Sequence, residues 1–316
     1  MSKSTLKKST ASLFGDLWHR YDDTLFEESV ELFARRYSAN GFDLNWFQGK
    51  KCLDAGCGGG RYAIAMSRLG AKEVIGCDIS AEGLENARQR AARLSNIRFE
   101  EASVQDLPFL DETFDFVCCS GVLHHTPNPE KGLQELARVL HPDGKLFLLL
   151  YGKGGVRWPT ILQVRPYVQE MGYELMDDAM KRAGLLANKQ RTFLDDLFVP
   201  ILKFYDWSEV QKLLDENGFH QIERWTKGKM DHESSVTVQR VELVQLQLIF
   251  KTILQQSEPR FVAAVPYASS ALDAVISALK QLDDTEAEFA LGRINEKERD
   301  WRVFGWGHHR VLAVKR

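Results

Sequence analysis

Lys51-Cys-Leu-Asp-Ala-Gly-Cys-Gly-Gly-Gly60 is the stretch that decides the fold. Its first five residues form a short apolar run, and a glycine turn follows at once. Tyr62, Ile64, Ala65, Met66 and Leu69 then recur at helical spacing, so the segment reads as strand, turn and helix. Glycines at such a turn permit positive φ and let a ligand approach the backbone beside a helix N-terminus. Two kinds of nucleotide cofactor use turns of this type, and position 61 separates them. A dinucleotide fingerprint G-x-G-x-x-G needs glycine there, whereas this chain has Arg61.

Working outward, the same rhythm repeats. Glu73-Val-Ile-Gly-Cys-Asp78 reads as a second strand ending in an acid, and Ser80 is placed to cap a helix reaching about Leu94. Asn96 to Glu101 makes a third strand and Phe114 to Ser120 a fourth. Pro129 to Leu140 follows as a helix, and Lys145 to Tyr151 as a fifth strand after the Pro142-Asp-Gly144 turn. Strands alternating with helices in this way imply a parallel, doubly wound sheet. Beyond Tyr151 the pattern changes to an aromatic-rich helical stretch from Gly152 to Tyr205. A helix over Trp207 to Asn217 and an alternating strand over Phe219 to Trp225 resume the core rhythm. A second excursion, with helical stretches near Val241 to Gln256 and Ser269 to Leu282, leads to a last strand over His309 to Lys315.

Several function classes are excluded by composition. The 316 residues are 44% hydrophobic and 27% charged, which is ordinary for a globular protein and unlike collagen, a coiled coil or a disordered tail. Lys+Arg 41 against Asp+Glu 44 leaves a net charge of -3, so there is no global positive field to draw in phosphate backbones. Met1 to Leu13 has lysines but no apolar core after them, and Leu146 to Tyr151 is too short to span about 30 Å of hydrocarbon, so a cytoplasmic protein without a membrane partner is expected. Of the five cysteines, Cys52, Cys77, Cys118 and Cys119 fall within strands and behave as small apolar residues, in keeping with a reducing compartment. Cys57 lies in the glycine turn. No Cys-x-x-Cys occurs, and adjacent Asp231-His-Glu233 cannot all face one ion from regular structure, so no metal is expected.

The ordered set Asp54-x-Gly56-x-Gly58-x-Gly60, Asp78, Gln105-Asp-Leu-Pro-Phe109, Phe114-Asp-Phe116, Val122-Leu-His-His125 and Leu136-Ala-Arg-Val-Leu-His-Pro-Asp-Gly144 resembles the class I S-adenosylmethionine-dependent methyltransferases, most closely the small-molecule subset called type 11. The resemblance covers Lys51 to Tyr151, about a third of the chain. It implies a Rossmann-like α/β fold: a doubly wound, seven-stranded mixed sheet with the last strand antiparallel and helical insertions forming a cap. One domain over 1–316 is expected. Within it, 1–48 would be an N-terminal helical lid segment, 49–151 the cofactor-binding core, 152–206 a helical cap insertion, 207–227 and 306–316 the rest of the core sheet, and 228–305 a second helical insertion.

Site roles follow from the same resemblance. S-adenosylmethionine is the expected cofactor and S-adenosylhomocysteine the product. Asp78 would take the ribose hydroxyls through charge-assisted hydrogen bonds, and Asp54 would order the loop of Gly56, Gly58 and Gly60. Ile79 is an apolar contact for the adenine, with Ser103 and Val104 beside it. Many relatives have an acid where Ser103 stands, and Asp106 is the substitute considered. Ser120 would offer backbone groups to the methionine end, and Tyr21 with Trp18, in Phe14-Gly-Asp-Leu-Trp-His-Arg-Tyr21, would cover the cofactor. His125 and His124 are the candidates for accepting the acceptor's proton or orienting it, with a structural role for the pair as the other reading. Tyr151 and Arg157 stand at the root of the first insertion.

Asn/Asp-Pro-Pro-Tyr, the mark of amino-methylating enzymes, is absent, and Ser120-Gly-Val-Leu stands in its place. That argues against methylation of DNA or protein amides, and the expected acceptor is a small molecule, methylated on oxygen before carbon or nitrogen. The alternatives are an RNA-modifying enzyme, since Leu-His-His occurs among those too, and a non-catalytic S-adenosylmethionine-binding protein.

Overall fold

Lys51 to Ala55 is a strand because alternate residues have apolar surroundings on both sides of it: Cys52 packs into one core layer and Leu53 and Ala55 into the other. In the computed structural model, which describes residues 23–316, it is an interior strand of a seven-stranded sheet. Trp18 and Tyr21 lie outside the described residues. In chain order the elements begin with α1 (Asp23–Ala39), β1 (Lys51–Ala55), α2 (Arg61–Arg68), β2 (Glu73–Asp78), α3 (Ala81–Arg90), β3 (Ile97–Glu101), β4 (Phe114–Ser120), α4 (Pro129–Val139) and β5 (Leu140–Tyr151). They continue with α5 (Arg157–Met171), α6 (Tyr173–Arg182), α7 (Ala187–Phe198), α8 (Trp207–Glu216), β6 (Phe219–Trp225), α9 (Val236–Leu254), α10 (Pro259–Ala290), α11 (Glu296–Phe304) and β7 (His308–Lys315).

The strand order is β3-β2-β1-β4-β5-β7-β6, and β7 alone runs antiparallel to its neighbours, β5 and β6. This is the Rossmann-like doubly wound arrangement expected. Both faces are covered, as a parallel sheet requires. Phe26, Phe33 and Tyr37 of α1, Tyr62 and Ile64 of α2 and Leu84 of α3 pack on the face of Cys52, Phe116 and Phe147. Leu133 and Leu136 of α4 with Val210 and Leu214 of α8 pack on the opposite face. Local signals set the helix starts. Ser80 accepts from Gly83 N–H at 3.1 Å, Asn128 from Lys131 N–H at 3.0 Å ahead of Pro129, and Asp206 with Glu209 forms a capping box.

β5 and α10 differ most from the sequence pattern. β5 begins at Leu140 rather than Lys145, because Leu140 pairs with Phe114 before the register shifts and Lys145 takes up pairing with Phe116. Asp143, at φ 61°, turns the intervening residues outward. α10 runs from Pro259, whereas the pattern marks helix only from Ser269. Pro259 sits in its first turn, where a missing N–H costs nothing, whereas Pro266 lies inside the helix and forgoes one backbone hydrogen bond there.

The chain divides into two compact units: residues 1–151, 200–228 and 308–316 form one, and residues 152–199 and 229–307 the other. The sheet belongs to the first. The second, among its described residues, is helical, with α10 packed against α9 and α5. By length and composition α10 is apolar enough to cross a membrane, and Phe261, Ala264, Ala268, Ala271, Val275 and Leu282 bury one of its sides. A buried ion cluster also lies within the helical unit. Arg157 donates to Glu242 at 2.8 Å and to Asp196, and Lys189 donates to Glu242 at 2.7 Å. Burial opposes the charge on Glu242, and Arg157, His232 and Lys189 outweigh it, leaving its carboxyl well below the ordinary range.

Phe116 is the test of the aromatic layer, since it is fully buried and meets Phe47 edge-on with ring centroids 5.0 Å apart. Phe116→Ala should lower unfolding free energy by about 3–5 kcal/mol, measured by chemical denaturation.

Candidate active site

The strand order reverses between β1 and β4, so their carboxyl ends open a crevice where the crossover connections diverge. From there Asp54, Gly56, Gly58, Gly60, Asp78, Ile79, Ser103, Val104, Ser120, His124 and His125 all fall at or just past the carboxyl ends of β1, β2, β3 and β4.

The loop after β1 is held from below. Gly56 and Cys57 donate their N–H groups to Cys77 O at 2.7 and 2.9 Å, and Gly58 N–H donates to Asp78 Oδ2 at 2.8 Å. The other Asp78 oxygen accepts from Ser80 N–H at 2.9 Å. Gly60 stands at the N-cap of α2 with φ 83° and no side chain to cap it. Asp54 does that work from β1, accepting from Ala63 N–H at 2.9 Å. Asp54 is 2% exposed, and burial pushes its carboxyl up to about 7 against the opposing effects of the Ala63 bond and Arg61. Burial raises Asp78 as well.

Ile79 is half-buried directly after Asp78. Ala102 N–H donates to Asp78 O at 3.0 Å, which ties the start of the next loop to the end of β2. There Ser103 Oγ accepts from Gln105 N–H at 3.3 Å, Val104 is buried and Asp106 is exposed. Past β4, Leu123–His125 forms a single 3-10 turn. His124 is fully buried, its ring 3.9 Å from that of Tyr151, and among the described residues neither of its ring nitrogens has a hydrogen-bond partner. Burial keeps it neutral. His125 places Nδ1 2.9 Å from Ile201 O. A carbonyl only accepts, so the neutral ring carries its proton on Nδ1 and its lone pair on Nε2.

The sequence reading missed Arg36 and Tyr62. Arg36, 1% exposed on α1, donates from Nη1 to the Tyr62 hydroxyl at 3.0 Å and from Nε to Gly228 O at 3.3 Å. Its Nη2 has no partner among the described residues. Burial opposes ionisation of Tyr62, yet the Arg61 and Arg36 charges and the Ser120 hydroxyl outweigh it and lower its pKa. The available signal was an arginine three residues after Phe33 on the apolar stripe Phe26, Val30, Phe33 and Tyr37.

These residues fit a nucleoside cofactor with a charged amino-acid tail. A Cβ on Gly56 would fall 2.3 Å from Val122 Cγ2, and one on Gly60 would fall 2.8 Å from Ala87 Cβ, so the loop has the close approaches only glycine allows. Asp78 can take a diol, and a buried guanidinium with an unspent N–H suits a carboxylate.

A family model described as a methyltransferase domain matches residues 53–148. The chain contains a class I S-adenosylmethionine-dependent methyltransferase domain. Among curated relatives, it is 36% identical over 158 residues to the ubiquinone biosynthesis O-methyltransferase of Paracidovorax citrulli, covering 46% of this chain and 64% of that protein. To the protein of the same name in Neisseria meningitidis serogroup A it is 38% identical over 158 residues, covering 47% and 66%. It is also 40% identical over 102 residues to a tRNA U34 carboxymethyltransferase of Campylobacter hominis, covering 32% and 36%. In each case the chain covers less than two thirds of the relative's length.

In the methyltransferase domain, Asp54 sets a pH signature. Its carboxyl holds a proton up to about 7 when folded and to about 3.9 when unfolded, so the native state binds more protons in that window. Its contribution to stability is full below the lower value and lost as pH rises through the upper one. Asp54→Asn should remove this decline, gaining stability on the order of a few kcal/mol relative to wild type between pH 4 and 8 in paired denaturation curves.

Proposed function

We propose that the protein transfers the methyl group of S-adenosylmethionine to a hydroxyl of a small molecule. The observation that carries this is the arrangement at the β1 and β2 ends: a glycine loop too tight for any Cβ at Gly56 or Gly60, set beside Asp78. When bound, S-adenosylmethionine would supply an electrophilic methyl group on a sulfonium. Asp78 would accept from the ribose hydroxyls, Arg36 would meet the carboxylate, and Ser120 would serve the methionine end. Ile79, Ser103 and Val104 would take the adenine. Alignment and exclusion of water do most of the work, because the donor's charge disperses in the transition state.

His125 is the residue we assign to accept the acceptor's proton, at Nε2, while the Ile201 carbonyl fixes the ring. His124, buried against Tyr151, shapes the turn that presents it. Oxygen is favoured because two relatives are named as O-methyltransferases. Residues 152–199 and 229–307, outside the shared domain, are assigned the selection of the acceptor, and the protein is assigned to the cytoplasm. A second reading, an RNA acceptor, is favoured by the tRNA-modifying relative. It requires salt-sensitive RNA binding.

Calorimetric titration with S-adenosylhomocysteine tests the cofactor. Micromolar binding is expected, weakened tenfold or more by Asp78→Ala, since each hydrogen bond to a charged group is worth about 1.5–3 kcal/mol. No binding to folded protein overturns the reading. A labelled methyl donor incubated with cell extract should place label in the small-molecule fraction, and label in RNA would favour the second reading. Once an acceptor is known, His125→Gln should lower kcat by about 100-fold or more with unchanged S-adenosylhomocysteine affinity.

A further inference from the structure

The segment between β3 and β4, residues 102–113, has little regular structure, and its conformation is fixed from α4. Leu107 is buried, and both polar groups of its backbone are taken by one ion pair. Its N–H donates to Glu135 Oε2 at 2.9 Å, and its carbonyl accepts from Arg138 Nη2 at 3.0 Å. Arg138 Nη1 donates to Phe109 O at 2.7 Å and to Asp111 Oδ1 at 2.7 Å. Glu135 holds the fork in place, accepting from Arg138 Nε at 3.0 Å and from Nη2 at 2.8 Å. Gln105 Nε2 reaches Asn128 O at 2.6 Å from the other side of the loop. These bonds straddle the turn in which Asp106 N–H donates to Ser103 O at 2.9 Å. The turn begins just past the end of β3, whose last residue, Glu101, pairs with Asp78 at the end of β2, so a nucleoside held at Asp78 would have this turn beside it.

We propose that Arg138, oriented by Glu135, is a positioning residue that sets the adenine-reading loop of the cofactor site. This rests on the cofactor reading above. The partners of Arg138 are Leu107, Phe109, Asp111 and Glu135, so it is assigned a role through the loop and not through contact with the cofactor. Its planar fork satisfies two loop carbonyls and two carboxylates at fixed angles, which a lysine ammonium cannot reproduce. Loss of the fork leaves the Leu107 carbonyl buried without a partner and frees the Ser103–Asp106 turn to shift.

The test compares affinity for S-adenosylhomocysteine with affinity for S-inosylhomocysteine, which differs only in the base. Wild type should prefer the adenine compound. Arg138→Ala and Arg138→Lys should each weaken S-adenosylhomocysteine binding by about tenfold or more and shrink that preference, while the inosine compound loses less. Gln134→Ala, at an exposed position of the same helix outside this network, should leave both affinities within about twofold. Thermal melts establish that each variant folds. Should Arg138→Ala not fold, Glu135→Gln, which keeps shape and loses the charge, is expected to show the same loss of preference. Folded variants with wild-type affinity and preference overturn the clamp alone. A wild type that binds neither compound overturns the cofactor reading and the clamp with it.

Discussion

Four backbone N–H groups between the end of β1 and the first turn of α2 need acceptors in a place where water has little access, and the whole nucleotide edge depends on how they are met. Gly56 and Cys57 use Cys77 O, Gly58 uses Asp78, and Ala63 uses Asp54. An unpaired buried N–H costs as much as a lost hydrogen bond, so each acceptor pins the loop in one conformation. The two carboxylates act in opposite directions along the chain. Asp54 looks forward from β1 to the helix, whereas Asp78 looks back from β2 to the loop. Between them the glycines are placed before any ligand arrives, which reduces the ordering cost of binding.

Much of this was legible in the residues. Alternation in Cys52-Leu53 and in Phe116-Val117-Cys118-Cys119 sends successive side chains to opposite core layers, and the glycine turn fixes where strand gives way to helix. The order of acids and glycines located Asp54 and Asp78. Arg36 escaped notice because its partners, Tyr62 and Gly228, are remote in sequence, and periodicity records only that a stripe is buried. The start of β5 at Leu140 depends on a bulge that is decided by pairing with Phe114, which no local pattern encodes. The extent of α10 was hidden by two prolines, Pro259 harmless in the first turn and Pro266 carried inside the helix.

His124 and His125 show how adjacent identical residues acquire different chemistry. One ring is sealed among aromatic neighbours, and the other has its tautomer fixed by the Ile201 carbonyl. Neither difference is written in the dipeptide. It comes from residues 200–205, which return to the sheet unit after the first helical stretch: Lys203 N–H donates to His124 O at 3.1 Å and Tyr205 N–H to Tyr151 O at 2.9 Å.

The place of β7 has a consequence for synthesis on the ribosome. It sits between β5 and β6, yet the chain reaches it only after residues 229–307. Until residues 308–315 emerge, β5 has one open edge and β6 has no strand to join. A nascent chain therefore carries an adhesive strand edge through the time needed to translate the whole second helical stretch, about 4–16 s at ordinary elongation rates. Translation pauses placed in that stretch would lengthen the exposure, and chaperone demand should track them.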